Sequence, residues 1–283
     1  MQACNICGGQ LTRTLLTIIK PDRFERFIGI QEDDYCRRWV ACNQCGSATN
    51  VYDSYDKDRL SRLEAAYYEV DYAGADIASR YQKVMSLPRG LSDNRERVDR
   101  VLKWQNNCEA TEFSVIDIGA GTGVFLSRLM AASAARISKA VALEPDPHAA
   151  SHLRSLGEFQ VIEATFPLAF QLQGFDLVTL NKVVEHIDHP VNFLCHASNI
   201  VSTNSGIMYV EVPDVLTALL RDPGDNILGS LHRHLYSLQG LAIALCRSSL
   251  TPIRIERITE PSGKMSIYAF ATTNAYVGDH YSS

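Results

Sequence analysis

Three groups of residues in this chain have the types and spacing to do chemistry. The first is a pair of CxxC elements, Cys4-Asn5-Ile6-Cys7 and Cys42-Asn43-Gln44-Cys45, each followed by glycine. Two intervening residues let both thiolates reach one ion across a tight turn. The glycine permits the positive φ such a turn often needs. Two of these knuckles make a tetrahedral four-sulfur site, which favours Zn²⁺. The spacing predicts structural zinc at Cys4, Cys7, Cys42 and Cys45, with Cys36 the runner-up ligand or a spare buried thiol. A redox CxxC would sit in a βαβ context, which the flanking sequence lacks.

The second group is the run Val115-Ile116-Asp117-Ile118-Gly119-Ala120-Gly121-Thr122-Gly123-Val124-Phe125. Its glycines let a backbone approach a ligand closely. The dinucleotide pattern G-x-G-x-x-G requires glycine at 124, where Val124 stands, so a pyrophosphate cradle is not indicated. A second strand ends at Leu143-Glu144-Pro145. An acid there can accept hydrogen bonds from both hydroxyls of a ribose. The third group is histidine: His186 beside Glu185, then His189, and His232 and His234 in Leu231–Ser237. An imidazole suits removal of a proton from an alcohol, typically accelerating it ~10²–10⁴-fold. The plainer alternatives are a turn histidine bonded to backbone at His186 and a simple loop before an N-capping Ser237. The run from Asn181 to His186 holds one acid, Glu185, which argues against a catalytic metal.

The elements that must position these groups follow from periodicity. Leu11–Ile19 and Arg38–Ala41 are strand-like. Residues 51–110 read as polar and helical, with Leu60, Leu63 and Tyr67 at helical spacing and tyrosines at 67, 68, 72 and 81. From residue 113 strands alternate with amphipathic helices. Strands are expected at Phe113–Ile118, Ala140–Leu143, Gln160–Ile162, Phe175–Leu180 and Ile207–Val212. Helices are expected at Val124–Met130, Pro147–Leu156, His189–Val201 and Ser237–Cys246. A hairpin through Glu260-Pro261-Ser262-Gly263 joins Ile253–Ile258 to Met265–Thr272. This alternation predicts a Rossmann-like, doubly wound, mainly parallel seven-stranded α/β sheet, with one antiparallel strand from the hairpin. A small zinc-ribbon-like module precedes it.

Residues ~111–273 resemble the class I S-adenosylmethionine-dependent methyltransferases, at the size usual for one domain. Asp117, Gly119, Gly121 and Gly123 match their first motif, Glu144 the ribose-binding acid, and Phe175–Asn181 with Glu185-His186 the fourth-strand region. The resemblance implies that S-adenosylmethionine contacts Asp117, Gly119, Ala120, Gly121, Gly123, Phe125, Glu144, Pro145 and Asn181. It places adenine near Ala164 and Thr165, with Phe166 adjacent, and makes His186, then His234, the candidate base. With the zinc knuckles ahead of it, the layout is similar to bacterial tailoring methyltransferases acting on sugars. These carry a tyrosine-rich segment before the first motif, matched here by Tyr67–Tyr72, with Tyr72 near the donor as part of a lid. The chain ends soon after the last strand, without the extra C-terminal domain of the sugar C-methyltransferases, which leaves O- or N-methylation more open.

The 283 residues carry 27 Lys and Arg against 32 Asp and Glu, a net charge of −5. An electrostatic grip of the whole chain on nucleic acid is therefore disfavoured. No apolar run approaches the ~18 residues of a membrane span. The start shows no signal peptide, so a cytoplasmic location is expected. The expected divisions are 1–50 for the zinc module, 51–110 for a helical linker and lid, and 111–283 for the methyltransferase domain. The leading expectation is methylation of a small hydroxyl-bearing acceptor such as a saccharide, nucleotide sugar or secondary metabolite. The alternatives are a zinc-ribbon rRNA methyltransferase and a non-catalytic scaffold that keeps the fold. Oligomeric state is not legible.

Overall fold

The computed structural model describes residues 2–33, 35–53, 60, 62–63, 66, 69–70, 76–105, 111–133, 136–168, 172–203 and 206–273. Three antiparallel strands open the chain: β1 (Leu11–Ile18), β2 (Arg37–Cys42) and β3 (Ala48–Tyr52). The later strands are β4 (Phe113–Ile118), β5 (Ile137–Glu144), β6 (Gln160–Glu163), β7 (Leu177–Asn181) and β8 (Ile207–Pro213). They are followed by β9 (His234–Leu235), β10 (Leu250–Thr259) and β11 (Met265–Thr273).

Seven of these form one sheet in the order β10-β11-β8-β7-β4-β5-β6. β4 to β8 pair in parallel, and β11 runs antiparallel to β8 and β10, as the hairpin required. Helices cover both faces, so the central strands are apolar on both sides. In β4, Ile116 and Ile118 enter one core while Phe113 and Val115 enter the other, the period of two expected of a strand. The helix Pro147–Leu156 shows how local sequence sets the layers. Asp146 caps it by accepting from the Ala149 N–H at 2.7 Å, Pro147 opens it, and Gly157 ends it in the left-handed region. It buries Ala149, Ala150 and Leu153. The helix expected at His189–Val201 is shorter, Pro190–Ser198, because Pro190 occupies its first turn.

The expected divisions at 50 and 110 do not separate independent bodies. β9 pairs with β3 through Ala48–Leu235 and Thr49–His234, which makes it the fourth strand of the N-terminal sheet. Cys4, Ile6, Cys42 and Cys45 lie in the same core as Ile118, Tyr236 and Leu241. The N-terminal unit also has a core of its own, with Trp39, Phe24 and Ile30 packed beside Leu228 and Leu235. Within it Glu25 is fully buried, accepts from the Tyr52 hydroxyl at 2.7 Å and from the Tyr35 hydroxyl, and faces Arg37 at 3.2 Å. The helix Asp93–Gln105, expected as part of a linker, is a layer of the large domain. Its Val98 and Val101 pack against Phe113 and Leu126. The expected lid tyrosines Tyr67, Tyr68 and Tyr72 lie outside the described residues. Tyr81 is described; it is buried, edge-on to His152 at 5.3 Å. No helix among the described residues is long and apolar enough to cross a membrane.

Candidate active site

Strand order reverses between β4 and β7, and chain connections leave the carboxyl ends of these neighbours in opposite directions. That opens a crevice at the sheet edge. A cleft of about 430 Å³ occupies it, running from Gly119, Gly121, Glu144 and Pro145 to His186 and Arg233.

The glycine loop shapes one end. Gly119 and Ala120 both donate N–H to the Leu143 carbonyl, at 2.8 and 3.1 Å, tying the loop to the end of β5. Gly119 has φ +73°, and a Cβ there would meet Val183 at 2.7 Å. Gly123 has φ +79°, and a Cβ would meet Leu153 at 2.5 Å. Only glycine satisfies both the conformation and the space. Glu144 follows from β5. Its carboxylate accepts from the Gly121 N–H at 2.8 Å and the Asp146 N–H at 3.0 Å. Burial pushes its pKa up, and those two N–H groups oppose the shift. Each oxygen keeps acceptor capacity, the arrangement a pair of ribose hydroxyls can use.

Asp117 supports this end from beneath. It is 2% exposed and accepts from Thr179 Oγ1 at 2.6 Å and Asn181 Nδ2 at 2.9 Å. Burial raises its pKa to about 6. Of the residues expected around the donor, Gly119, Gly121, Glu144, Pro145 and Thr165 line the cleft, as does Phe166. Asp117, Ala120, Gly123, Ala164 and Asn181 do not. Phe125 is a correction: its ring is buried with Val98, Leu126 and Leu129 on the far side of the helix.

The other end is polar. His186 lines the cleft, its ring open to it, with Nδ1 at 3.1 Å from the Leu231 carbonyl. The side chain is exposed on the cleft wall. His234 is a second correction. It is 1% exposed, with Nδ1 at 3.3 Å from Thr49 Oγ1 and Nε2 at 3.4 Å from the Asp188 carbonyl. Pairing of β9 with β3 turns it into the N-terminal sheet, away from any acceptor.

Sequence reasoning missed Lys182, Val183, Phe193 and Arg233 in the wall. Lys182 has φ +60° and bonds Glu260 at 2.9 Å. Beneath it Glu211 is fully buried and faces Arg97, Arg100 at 2.7 Å and Lys182 at 3.4 Å. Burial alone would raise the Glu211 pKa; these cations overcome it and hold it well below the usual carboxylate range. Removing one partner of such a buried set typically costs about 3–5 kcal/mol. The signal was an acid inside the apolar strand Ile207–Pro213.

The sequence between residues 80 and 248 matches a family described as a methyltransferase domain. The chain belongs to the class I S-adenosylmethionine-dependent methyltransferases. The family's match starts at Arg80, within the helix Ile77–Met85. Among solved structures, the Burkholderia thailandensis 1,6-didemethyltoxoflavin-N1-methyltransferase, with 1,6-didemethyltoxoflavin and S-adenosylhomocysteine bound, is 14% identical. It has a TM-score of 0.56 and covers 85% of this chain and 96% of its own. The magnesium protoporphyrin IX methyltransferase of Synechocystis PCC 6803, with S-adenosylhomocysteine, is 13% identical at a TM-score of 0.56, covering 76% and 100%. The CurJ carbon methyltransferase is 12% identical at 0.55, covering 76% and 66%. At these identities the likeness is one of fold. No curated protein matches the chain.

In the N-terminal unit of this methyltransferase the four expected cysteines come together, every sulfur within 4.8 Å of the others. Cys4 and Cys45 lie 3.8 Å apart, and Cys7 and Cys42 3.4 Å. A tetrahedral ion with Zn–S of about 2.3 Å sets its sulfurs roughly 3.8 Å apart, so the set fits zinc. Gly9 N–H approaches Cys7 Sγ at 3.3 Å, and Gln44 N–H approaches Cys42 Sγ at 3.4 Å, as thiolates require. Gly8 and Gly46 have φ of +86° and +73°. Contact with Cys45 drives the Cys4 pKa down to about 5, while Cys45 is pushed up. Cys36 stands outside the cluster, beside Asp53.

Proposed function

We propose that this methyltransferase transfers the methyl group of S-adenosylmethionine to a small hydroxyl-bearing acceptor, a saccharide, nucleotide sugar or secondary metabolite. The observation that carries the reading is one continuous cleft with two unlike ends. Glu144 and the glycine loop can hold the donor's ribose and chain, and His186 and Arg233 offer polar groups for an acceptor. Methyl transfer from a sulfonium is an in-line displacement, so much of the rate can come from alignment. The neutral imidazole of His186 meets the acceptor hydroxyl, to orient it and favour loss of its proton. Zinc held by Cys4, Cys7, Cys42 and Cys45 would be structural, since four thiolates leave no open position.

The test is a screen of nucleotide sugars and metabolites with labelled methyl donor. On an accepted substrate, His186→Gln should lower turnover roughly 10²-fold while donor affinity by calorimetry is kept. Near-normal turnover would remove His186 from the acceptor side. A salt-dependent titration with rRNA separates the nucleic-acid alternative, which predicts tight binding lost with salt.

A further inference from the structure

Glu185 is the buried acid that the donor and acceptor roles leave unused. It sits in the short turn Val184–His186 that follows β7, and its side chain is 1% exposed. Neither carboxyl oxygen has a hydrogen-bond partner among the described residues. A carboxyl so placed either keeps its proton or takes a cation.

Two imidazoles stand beside it. The Glu185 carbonyl accepts from the Arg233 N–H at 2.7 Å, which draws the loop carrying His232 onto this turn. The His186 and His232 rings lie 4.7 Å apart, centroid to centroid. His186 Nδ1 faces the Leu231 carbonyl at 3.1 Å, and His232 Nδ1 faces the Ile227 carbonyl at 2.5 Å. A carbonyl only accepts, so each Nδ1 carries the hydrogen and each lone pair lies on Nε2. Metal-binding histidines are usually fixed in this way. One ligand atom from each of Glu185, His186 and His232 lies within 4.8 Å of the others. The nearby cations are already matched, Lys182 with Glu260 at 2.9 Å and Arg233 with Asp188 at 3.1 Å.

We propose that Glu185, His186 and His232 hold one divalent first-row transition-metal ion in the acceptor wall of the cleft. Two imidazoles and one carboxylate are a ligand set for such ions, and three protein ligands leave positions open for oxygen. An acceptor hydroxyl bound there would have its pKa lowered and would pass its proton to solvent water in the cleft, His186 then serving as a ligand and no longer meeting the hydroxyl itself. That use rests on the methyl-transfer reading; the site itself does not. Counting carboxylates alone along Asn181–His186 hid it, because the third ligand comes from the loop after β8.

The test is Co²⁺ titrated into the zinc-loaded chain, followed by calorimetry and absorption. One Co²⁺ should bind without the intense charge-transfer absorption of thiolate ligation. Glu185→Gln and His232→Asn should each weaken that binding at least tenfold, while zinc content stays at the wild-type level. S-adenosylhomocysteine affinity in the same variants reports that they are folded. Absence of a Co²⁺ site without thiolate absorption in the wild type would overturn the proposal. So would unchanged Co²⁺ affinity in either variant. Turnover enters none of these readouts, so a wrong acceptor assignment leaves the result intact.

Discussion

Asp117 accepts hydrogen bonds from Thr179 and Asn181 in a fully enclosed place, with its pKa raised to about 6. The folded chain therefore holds one more proton than the unfolded chain between the ordinary aspartate value, near 3.9, and about 6. Stability from this residue is full below that window and is lost as pH rises through it. Two units correspond to roughly 3 kcal/mol as an upper bound. Denaturant unfolding between pH 4 and 7.5 should show wild type losing stability relative to Asp117→Asn, then running parallel above pH 6. Parallel curves throughout would reject the burial argument. At Glu144 the expectation concerns affinity. Two charge-assisted bonds of about 1.5–3 kcal/mol each would reach the donor, so Glu144→Gln should weaken S-adenosylhomocysteine binding at least tenfold by calorimetry. The place of both residues at the strand ends beside the glycine loop was legible from sequence. His234 was not legible. Its burial depends on which strand its neighbours pair with, and no local pattern encodes that. Phe125 failed similarly, because a helix following a glycine loop has one face toward the ligand and one toward the core.

At the scale of elements, long periodic segments were readable and short nonlocal ones were not. β4, β5, β7 and β8 carry continuous apolar runs, the mark of strands covered on both faces. β9 has two residues and exists because β3 offers it an edge. The helix Arg23–Phe27 went unread although Asp22 and Glu25 form a capping box. The contact between the N-terminal unit and the helix Leu238–Arg247 is tight enough to test. A Cβ on Gly240 would fall 1.9 Å from Ser47 Oγ and 3.1 Å from Ser47 Cβ. Ser47 Oγ also accepts from the Ser237 N–H at 3.0 Å, so it has little freedom to turn away. Gly240→Ala should destabilise the chain by about 1–3 kcal/mol, the usual cost of overpacking. Wild-type stability would show that the two elements do not dock this closely.

For the whole molecule, a shared strand pairing and a shared core predict that the N-terminal unit and the large domain unfold together. Asn50 extends the link: its side chain donates to the His232 carbonyl at 2.9 Å and its N–H to the Arg233 carbonyl at 3.0 Å. Scanning calorimetry of the zinc-loaded protein should give a single transition. Chelation, or Cys42→Ser with Cys45→Ser, should lower its Tm and also weaken acceptor binding, because the loop at 231–235 loses its support. Two separate transitions, with the cleft unaffected by chelation, would contradict the shared body. The joint between the units was not legible, since it depends on residues far apart in sequence.

The pairing of β3 with β9 also sets an order of events during synthesis. The four clustered cysteines leave the ribosome first, yet the fourth strand of their sheet arrives only with His234 and Leu235. Until then the edge of β3 is uncovered, and exposed strand edges invite association with other chains. Chain closure over so long a separation is slow compared with local folding. Zinc captured early would hold β1, β2 and β3 in register through that interval, so metal supply during translation would bear on yield as well as on the finished protein.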